Sequence, residues 1–457
     1  MPSLAGPFTT NAMFDSSSPN PRSSVLTDSA EGNTLTLAAY AEDAPAGAAC
    51  FFWGRLRDSW LAARGLTTLA KVVASRFVPQ SAALRDPIVT AGAGMLRFEA
   101  FSSCNGVYAR LDLGPAALDG EFLSSGTTNV DFNEPMVNAL SRISRTEPVL
   151  LSVGEKEVVL ERAAGKVTER KVVLPERWIK GLTAVQGYLA VMEEKMVLTR
   201  AQAVQLVQSI PPGTARSDFF LVLRGARPAF APVGSAGAVR VGGVHRLRLL
   251  EGLLPLCEGV RVFGTADGQA VAFVVAMGGG QEFVLALSAA VSRGFSGEGN
   301  QLDTLLEELP AEWITGANNL FRGNETFNPT LFAVEHGLAP DTVDRLCASL
   351  SAMGLLGFDL TENHYFYRRL PFKMERIVKL NPRLKNARAL LDAADDVQLV
   401  GVGAAGRTEA RVRGTGVWHT VLVGSTEAPR CTCPWFTGNQ GERGPCKHIL
   451  AAQLRFL

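Results

Sequence analysis

The apolar positions change period along the chain, and the changes divide it. Between residues 59 and 77, Leu61, Leu66, Leu69, Val72, Val73 and Phe77 recur at three- and four-residue intervals, with Lys71 and Arg76 elsewhere on the wheel. That spacing predicts an amphipathic helix. The pattern then shortens to strand-like runs at 88–89, 95–101 and 107–113, separated by Gly-rich or Asn-Gly turns. The same order returns twice. Asn133 is placed to cap a helix that opens at Glu134-Pro135 and buries Met136, Leu140 and Ile143, and strands at 149–153, 157–161 and 166–174 follow. A third copy runs from a helix at 245–256 into strands at 259–263, 270–275 and 282–287. One helix on three antiparallel strands buries only one face, so the copies are expected to pack together into a larger sheet.

The intervening stretches carry other signals. Residues 182–192 and 199–210 read as helices, the second with Thr199 as N-cap and Pro211-Pro212-Gly213 as its stop. Residues 329–335 and 341–353 read as two short helices around the turn Gly337-Leu338-Ala339-Pro340, the second facing Val343, Leu346, Leu350 and Met353 inward. Gly354 ends it, and 355–360 pairs with 364–370 across Thr361-Glu362-Asn363. The first 33 residues are rich in Ser, Pro, Thr and Asn and cannot bury enough surface to offset their ordering entropy. The resulting division is a disordered tail at 1–33, α+β repeat domains at 50–180 and 181–300, a helical-hairpin module at 301–372, a basic linker or helix at 373–396, and a terminal module at 397–457. The helix-and-three-strand order resembles the repeats of sliding-clamp-like domains over about half the chain. The two helices and hairpin resemble a winged helix-turn-helix. Its second helix, however, would offer Asp341 and Asp344 with a single Arg345, and carboxylates meet phosphates unfavourably. Structural or protein-contact use is the favoured reading of that module.

Composition narrows the class. Of 457 residues, 47% are apolar and 19% charged, as in an ordinary globular protein. Lys plus Arg number 45 against 44 Asp plus Glu, so an electrostatic partner must be met by a local patch. Cys50, Cys104, Cys257 and Cys347 lie far apart with no framework spacing, which fits a reducing cytosol. No basic segment followed by a long apolar run opens the chain, and no apolar stretch reaches the ~18–20 residues of a membrane span. Residues 270–291 come nearest, but Gly278-Gly279-Gly280, Gln281 and Glu282 break them into a hairpin. A cytoplasmic protein without a membrane partner is expected.

The remaining three cysteines form Cys431-Thr432-Cys433, followed after a turn-rich loop by Cys446-Lys447-His448. Thiolates and a neutral imidazole are the donors a structural zinc ion prefers, and four of them close its tetrahedral shell. Cys431, Cys433, Cys446 and His448 are therefore the expected ligands of one structural Zn2+. Ile449, Leu450, Leu454 and Phe456 describe the helix that packs behind them. From Cys431 through Ala451 the segment resembles the SWIM zinc finger, a CxC…CxH module with a strand–strand–helix core, and 414–423 suits its leading strands. Through 126–133 and Glu335-His336-Gly337-Leu338, the whole chain resembles bacterial SWIM-finger proteins encoded beside MoxR-type AAA+ ATPases and von Willebrand A proteins. The resemblance implies DNA or protein binding, an AAA+ ATPase as protein partner, and no catalytic residues.

Two further patterns bear on function. Gly401-Val402-Gly403-Ala404-Ala405-Gly406 satisfies GxGxxG, but the alternating residues 407–413 follow it where a dinucleotide site needs a helix. It reads as a loop entering the finger. Arg368, Arg369, Lys373, Arg376, Lys379, Arg383, Lys385 and Arg388 form the densest basic run, opposed by Glu375 alone. A solvated linker is one reading of it. Phosphate contact by Arg376, Lys379, Arg383, Lys385 and Arg388, with Arg411, Arg413, Arg430 and Lys447 of the finger, is the other. No phosphate-loop, HExxH, GxSxG or kinase signature is present, and no small-molecule substrate is identified. The expectation is a non-enzymatic α+β adaptor for nucleic acid, protein or both. The alternative is a pure scaffold for a MoxR-type ATPase and von Willebrand A system without DNA binding.

Overall fold

Eight antiparallel strands make the largest sheet of the computed structural model, in the order Glu193–Thr199, Gly259–Gly264, Ala270–Gly278, Gln281–Ser288, Val107–Leu113, Met95–Phe101, Ile88–Gly92, Gly126–Asn129. The first and third sequence copies thus join edge to edge, in register from Gln281 opposite Leu113 to Leu287 opposite Val107. The second copy does not join them. Its strands lie in a separate five-stranded sheet, ordered Gly165–Arg170, Glu157–Arg162, Val149–Gly154, Cys50–Leu56, Leu118–Phe122. A three-stranded sheet of Arg227–Ala231, Phe219–Arg224 and Val239–Val241 follows. The structure describes residues 49–77, 87–172, 176–215, 217–291, 294–295, 325–368, 370, 382–393, 395–403, 406–424, 427–439 and 444–456, together with 25–29 and 32–36. The latter two segments pair as an antiparallel hairpin in a unit of their own, Met1–Cys50; the remainder of the expected disordered tail lies outside the described residues.

Local chemistry sets most helix ends. Asp58 accepts from the Leu61 N–H at 2.8 Å and opens the helix Ser59–Ala74, which buries Leu61, Leu66, Leu69, Val72 and Val73. A Cβ on Gly65 would stand 2.7 Å from Leu111 Cδ1, so glycine lets this helix lie directly on the sheet. Thr199 caps Arg200–Gln208 through a capping box with Gln202. Asn133 holds the N-cap position of Glu134–Ser141, but its amide donates to Glu169 Oε2 at 2.9 Å instead of capping. The helix expected at 245–256 is two 3₁₀ segments, Val244–Leu250 and Leu254–Leu256. Pro255 lacks the N–H that a continuous helix needs, and the buried Arg246 is tied to the carbonyls of Gly106, Gly242, Gly243 and Ser288. Among the described residues no helix is long and apolar enough to cross a membrane.

Residues 326–370 form the helices Pro329–His336 and Pro340–Ala352 and the strands Leu356–Asp359 and His364–Tyr367, with Thr326–Phe327 as a third strand beside the latter. The hairpin is not a projecting wing. It lies on the large sheet, and this accounts for a second departure from expectation. Strand alternation puts Leu96, Phe98 and Ala100, with Ala109, Leu111 and Leu113, on the face covered by helix Ser59–Ala74. The opposite face carries the register pairs Arg97–Asp112, Glu99–Arg110 and Phe101–Tyr108. That face is buried too, with Arg97, Glu99, Arg110 and Asp112 each at most 2% exposed.

Three guanidiniums and three carboxylates balance there. Asp359 Oδ2 lies 3.3 Å from Arg97 Nη2 and 3.7 Å from Arg110 Nη2, and Arg110 meets Asp112 at 2.8 Å. Arg110 also donates to the Phe358 carbonyl at 2.6 Å, and the Arg97 guanidinium lies 4.1 Å from the centre of the Phe366 ring. Arg368 pairs with Glu99 and donates to the Leu182 carbonyl at 2.9 Å. Arg368 therefore belongs to the interior, which corrects its reading as the start of an exposed basic run. Its charge is neutralised by Glu99 and is not offered to a phosphate.

Burial pushes the Asp359 carboxyl up, but the guanidiniums of Arg110 and Arg97 more than reverse this and hold it at about 2. A folded-state pKa below the ordinary 3.8 means that the Asp359 contribution to stability is complete above about pH 4 and is lost as pH falls toward 2. Asp359→Asn is expected to lower stability by about 3–5 kcal/mol at neutral pH, because it leaves buried guanidinium charge uncompensated. Urea midpoints measured at a series of pH values should show the gap between parent and variant closing from about pH 4 downward.

Candidate metal centre and nucleic-acid face

The C-terminal module has a core of its own. Val397–Val402, Thr408–Arg413, Trp418–Val423 and Arg430–Cys431 form a four-stranded antiparallel sheet in that order. Alternation sends Thr408, Ala410, Val412, His419, Val421, Val423 and Cys431 inward, where Ile449, Leu450, Ala451 and Ala452 of helix Lys447–Phe456 meet them. Leu384 and Ala387 of helix Pro382–Asp392 are buried in the same cluster. That helix, within the stretch expected as a basic linker or helix, contributes to the finger's core. The GxGxxG segment links two antiparallel strands, with the Gly403 N–H bonded to the Arg407 carbonyl at 2.7 Å, and the chain continues as strand. Among the described residues no α-helix follows those glycines before the strand Thr408–Arg413.

Local structure delivers the four ligands. Cys431 ends its strand, Cys433 immediately precedes helix Pro434–Asn439, Cys446 immediately precedes helix Lys447–Phe456, and His448 sits in that helix's first turn. Their donor atoms all lie within 4.8 Å of one another and all four residues are buried. His448 Nδ1 is 3.9 Å from both Cys431 Sγ and Cys446 Sγ. With Zn–S near 2.3 Å and Zn–N near 2.0–2.1 Å, neighbouring donors of a tetrahedral site stand roughly 3.3–3.9 Å apart. Backbone N–H groups of Cys433 and Phe436 point at Cys431 Sγ and Cys433 Sγ, each at 3.4 Å, and favour the thiolate form.

Packed this closely, the sulfurs compete for protons. A hydrogen bond from Cys431 takes Cys446 down to about 4, the same bond pushes Cys431 up, and burial pushes Cys433 up. A divalent cation removes that conflict by holding all three thiolates at once. The set fits one structural Zn2+, with four protein ligands filling the shell.

His419 stands alone in the sequence, away from the ligand spacing. It is buried with its ring 4.5 Å from that of His448, and burial, then the neighbouring His448, lowers its pKa. A Cβ on Gly414 would stand 2.5 Å from His419 Nε2, so the residue type at 414 allows this tilted ring contact. The spacing of histidines carried no signal for it.

The expected phosphate contacts do not form one patch. Arg411, Arg413 and Arg430 lie on the outer face of the sheet, opposite Thr420, Trp418 and Leu422 respectively. Arg413 is also 3.3 Å from Asp396. Lys385 and Arg388 are exposed on helix Pro382–Asp392. Arg383 and Lys447 lie on the other side, at a cleft of about 480 Å3 beside the metal ligands. Arg376 and Lys379 lie outside the described residues. The sequence reading missed Trp435, Asn386, Thr415 and Val417, which line the same cleft. An aromatic residue two places after a zinc ligand was the available signal.

Cys433→Ser is expected to reduce bound zinc from one ion per chain to near none, whereas Cys104→Ser, outside the cluster, should leave it at one. Elemental analysis of the purified variants reads this directly.

Comparison with known proteins adds the following. No curated protein matches the chain. The crystal structure of Proliferating Cellular Nuclear Antigen from Entamoeba histolytica is similar over 52% of this chain and 99% of that one, at 10% identity and a TM-score of 0.36. The PCNA2–PCNA3 complex from Sulfolobus tokodaii is similar over the same shares, at 8% identity and a TM-score of 0.38. Scores this low carry no argument about function. Residues 419–455 match the SWIM zinc finger family, and the four clustered ligands all fall within that match.

Proposed function

We propose that the chain is a non-enzymatic, cytoplasmic adaptor whose zinc-structured C-terminal module binds nucleic acid through its phosphates, while the larger α+β body serves protein contact. The observation that supports it is where the positive charge lies. Between residues 382 and 456 the sequence has ten Lys or Arg against six Asp or Glu, in a chain whose total excess is one. The finger thus carries the positive surplus of a molecule that is otherwise slightly acidic. Arg411 and Arg413 share one face of a strand two positions apart, roughly 6.8 Å, with Arg430 on the same face. Cations fixed on a sheet face release counterions from a phosphate backbone when they dock.

A protein partner is the second reading, supported by Leu331 and Val334, 62% and 76% exposed on helix Pro329–His336. The resemblance to SWIM-finger proteins encoded beside MoxR-type ATPases makes an AAA+ ATPase the proposed partner for that surface.

The test replaces Arg388, Arg411, Arg413 and Arg430 of the full chain with Gln and measures binding to a short duplex across salt. Affinity should fall at low salt, and the slope of log K against log salt should become shallower by about 3.6 if all four contact phosphate. An unchanged affinity and slope would sink the nucleic-acid reading and leave the scaffold.

A further inference from the structure

We propose that the cleft beside the metal centre takes an unpaired base of single-stranded DNA, stacked against Trp435 with its flanking phosphates held by Arg383 and Lys447. The proposal deepens the nucleic-acid reading and rests on it. At about 480 Å3 the cleft falls within the range of about 300–1,000 Å3 typical of pockets for organic ligands, far more room than an ion requires. Its walls combine an indole, two cations and two uncharged hydrogen-bonding groups, Asn386 and Thr415. That is the set a nucleotide needs: a flat surface for the base, charge for the phosphate, and donors and acceptors for the base edge.

Arg383 and Trp435 are already organised for this. The Arg383 guanidinium carbon lies 4.8 Å from the Trp435 ring centroid, and Nη1 donates to the Pro445 carbonyl at 2.9 Å. The guanidinium is thus held over the indole, and together they offer an edge that a base can extend. Charge then sets the orientation of the strand. Three thiolates and a neutral imidazole around a divalent ion carry about one negative charge at the cleft floor, which keeps phosphates at the rim beside Arg383 and Lys447. The uncharged base points inward.

Strand form and a preference for thymine, the base that marks DNA, follow from the same wall. Duplex bases are already stacked and paired, so none can reach Trp435 without being flipped out, whereas a single strand presents them freely. Val417 is 55% exposed and apolar where it lines the cleft. The C5-methyl of thymine is the base substituent that such a group contacts favourably, and uracil lacks it.

The test uses the full, zinc-loaded chain and compares oligo(dT), oligo(U) and a duplex by fluorescence anisotropy. Trp435→Ala should weaken oligo(dT) binding by about tenfold, with zinc content and duplex affinity unchanged, and Trp435→Phe should stay within about threefold of the parent. Oligo(U) should bind more weakly than oligo(dT). A Trp435→Ala protein that keeps its zinc and binds oligo(dT) as the parent does overturns the proposal, and oligo(U) binding at least as tightly as oligo(dT) overturns the assignment to DNA. Should Trp435→Ala lose zinc, Lys447→Gln carries the comparison: it must weaken oligo(dT) more than duplex, and equal losses overturn the cleft. Duplex binding that persists while oligo(dT) is indifferent to these changes removes this proposal alone. Failure of both strand forms to bind removes the nucleic-acid reading with it.

Discussion

The body of this protein depends on a layer of desolvated charge between the large sheet and the hairpin that covers it. Arg97, Arg110 and Arg368 face Glu99, Asp112 and Asp359 with almost no water contact. Such a layer is a poor source of net stability, since the cost of dehydrating six ions rivals their mutual attraction. What it supplies is register. An apolar hairpin could slide on an apolar sheet; this one meets the sheet where Asp359 reaches two guanidiniums and Arg368 reaches Glu99. Tyr108 and Gln186 tighten the same arrangement, the first donating to Glu99 at 2.7 Å and the second accepting from the Phe358 N–H at 2.7 Å.

The finger solves its stability problem differently. Its core is small, built from four valines and one alanine on the sheet and a short apolar stripe on helix Lys447–Phe456. Small cores bury too little surface to hold loops in place, and metal ligation substitutes for the missing area. The four ligands tie the last strand, a six-residue helix and the start of the terminal helix to one point.

How much of this could be read from the sequence follows from how local each signal is. The ligand set was legible because donor chemistry and spacing lie within one short stretch. The Thr199 N-cap and the 270–291 hairpin were legible for the same reason. The runs at 95–101 and 107–113 were legible as strands, but a period of two says nothing about what covers either side. Arg97, Glu99, Arg110 and Asp112 are therefore an ordinary polar face in the sequence and an interior in the fold. Arg368 was misplaced because its neighbours are basic, while its partner Glu99 is 269 positions away. The helix at 245–256 failed through a contest between apolar periodicity and one buried arginine, two of whose carbonyl partners, Gly106 and Ser288, lie far along the chain. The cleft was invisible because its walls come from four separated segments that meet only when the finger folds.

One packing detail redefines where the finger begins. The segment that matches the SWIM family starts at His419, yet Leu384, Ala387, Ala410 and Val412 precede it and are buried against Ile449 and Leu450. Arg383 reaches from that earlier helix to the carbonyl of Pro445, directly beside a metal ligand. The unit that sequence comparison recognises and the unit that folds are thus different lengths of chain. A fragment cut at the recognised boundary would carry every metal ligand and lack a wall of its own interior, because that packed core runs from helix Pro382–Asp392 to the terminal helix.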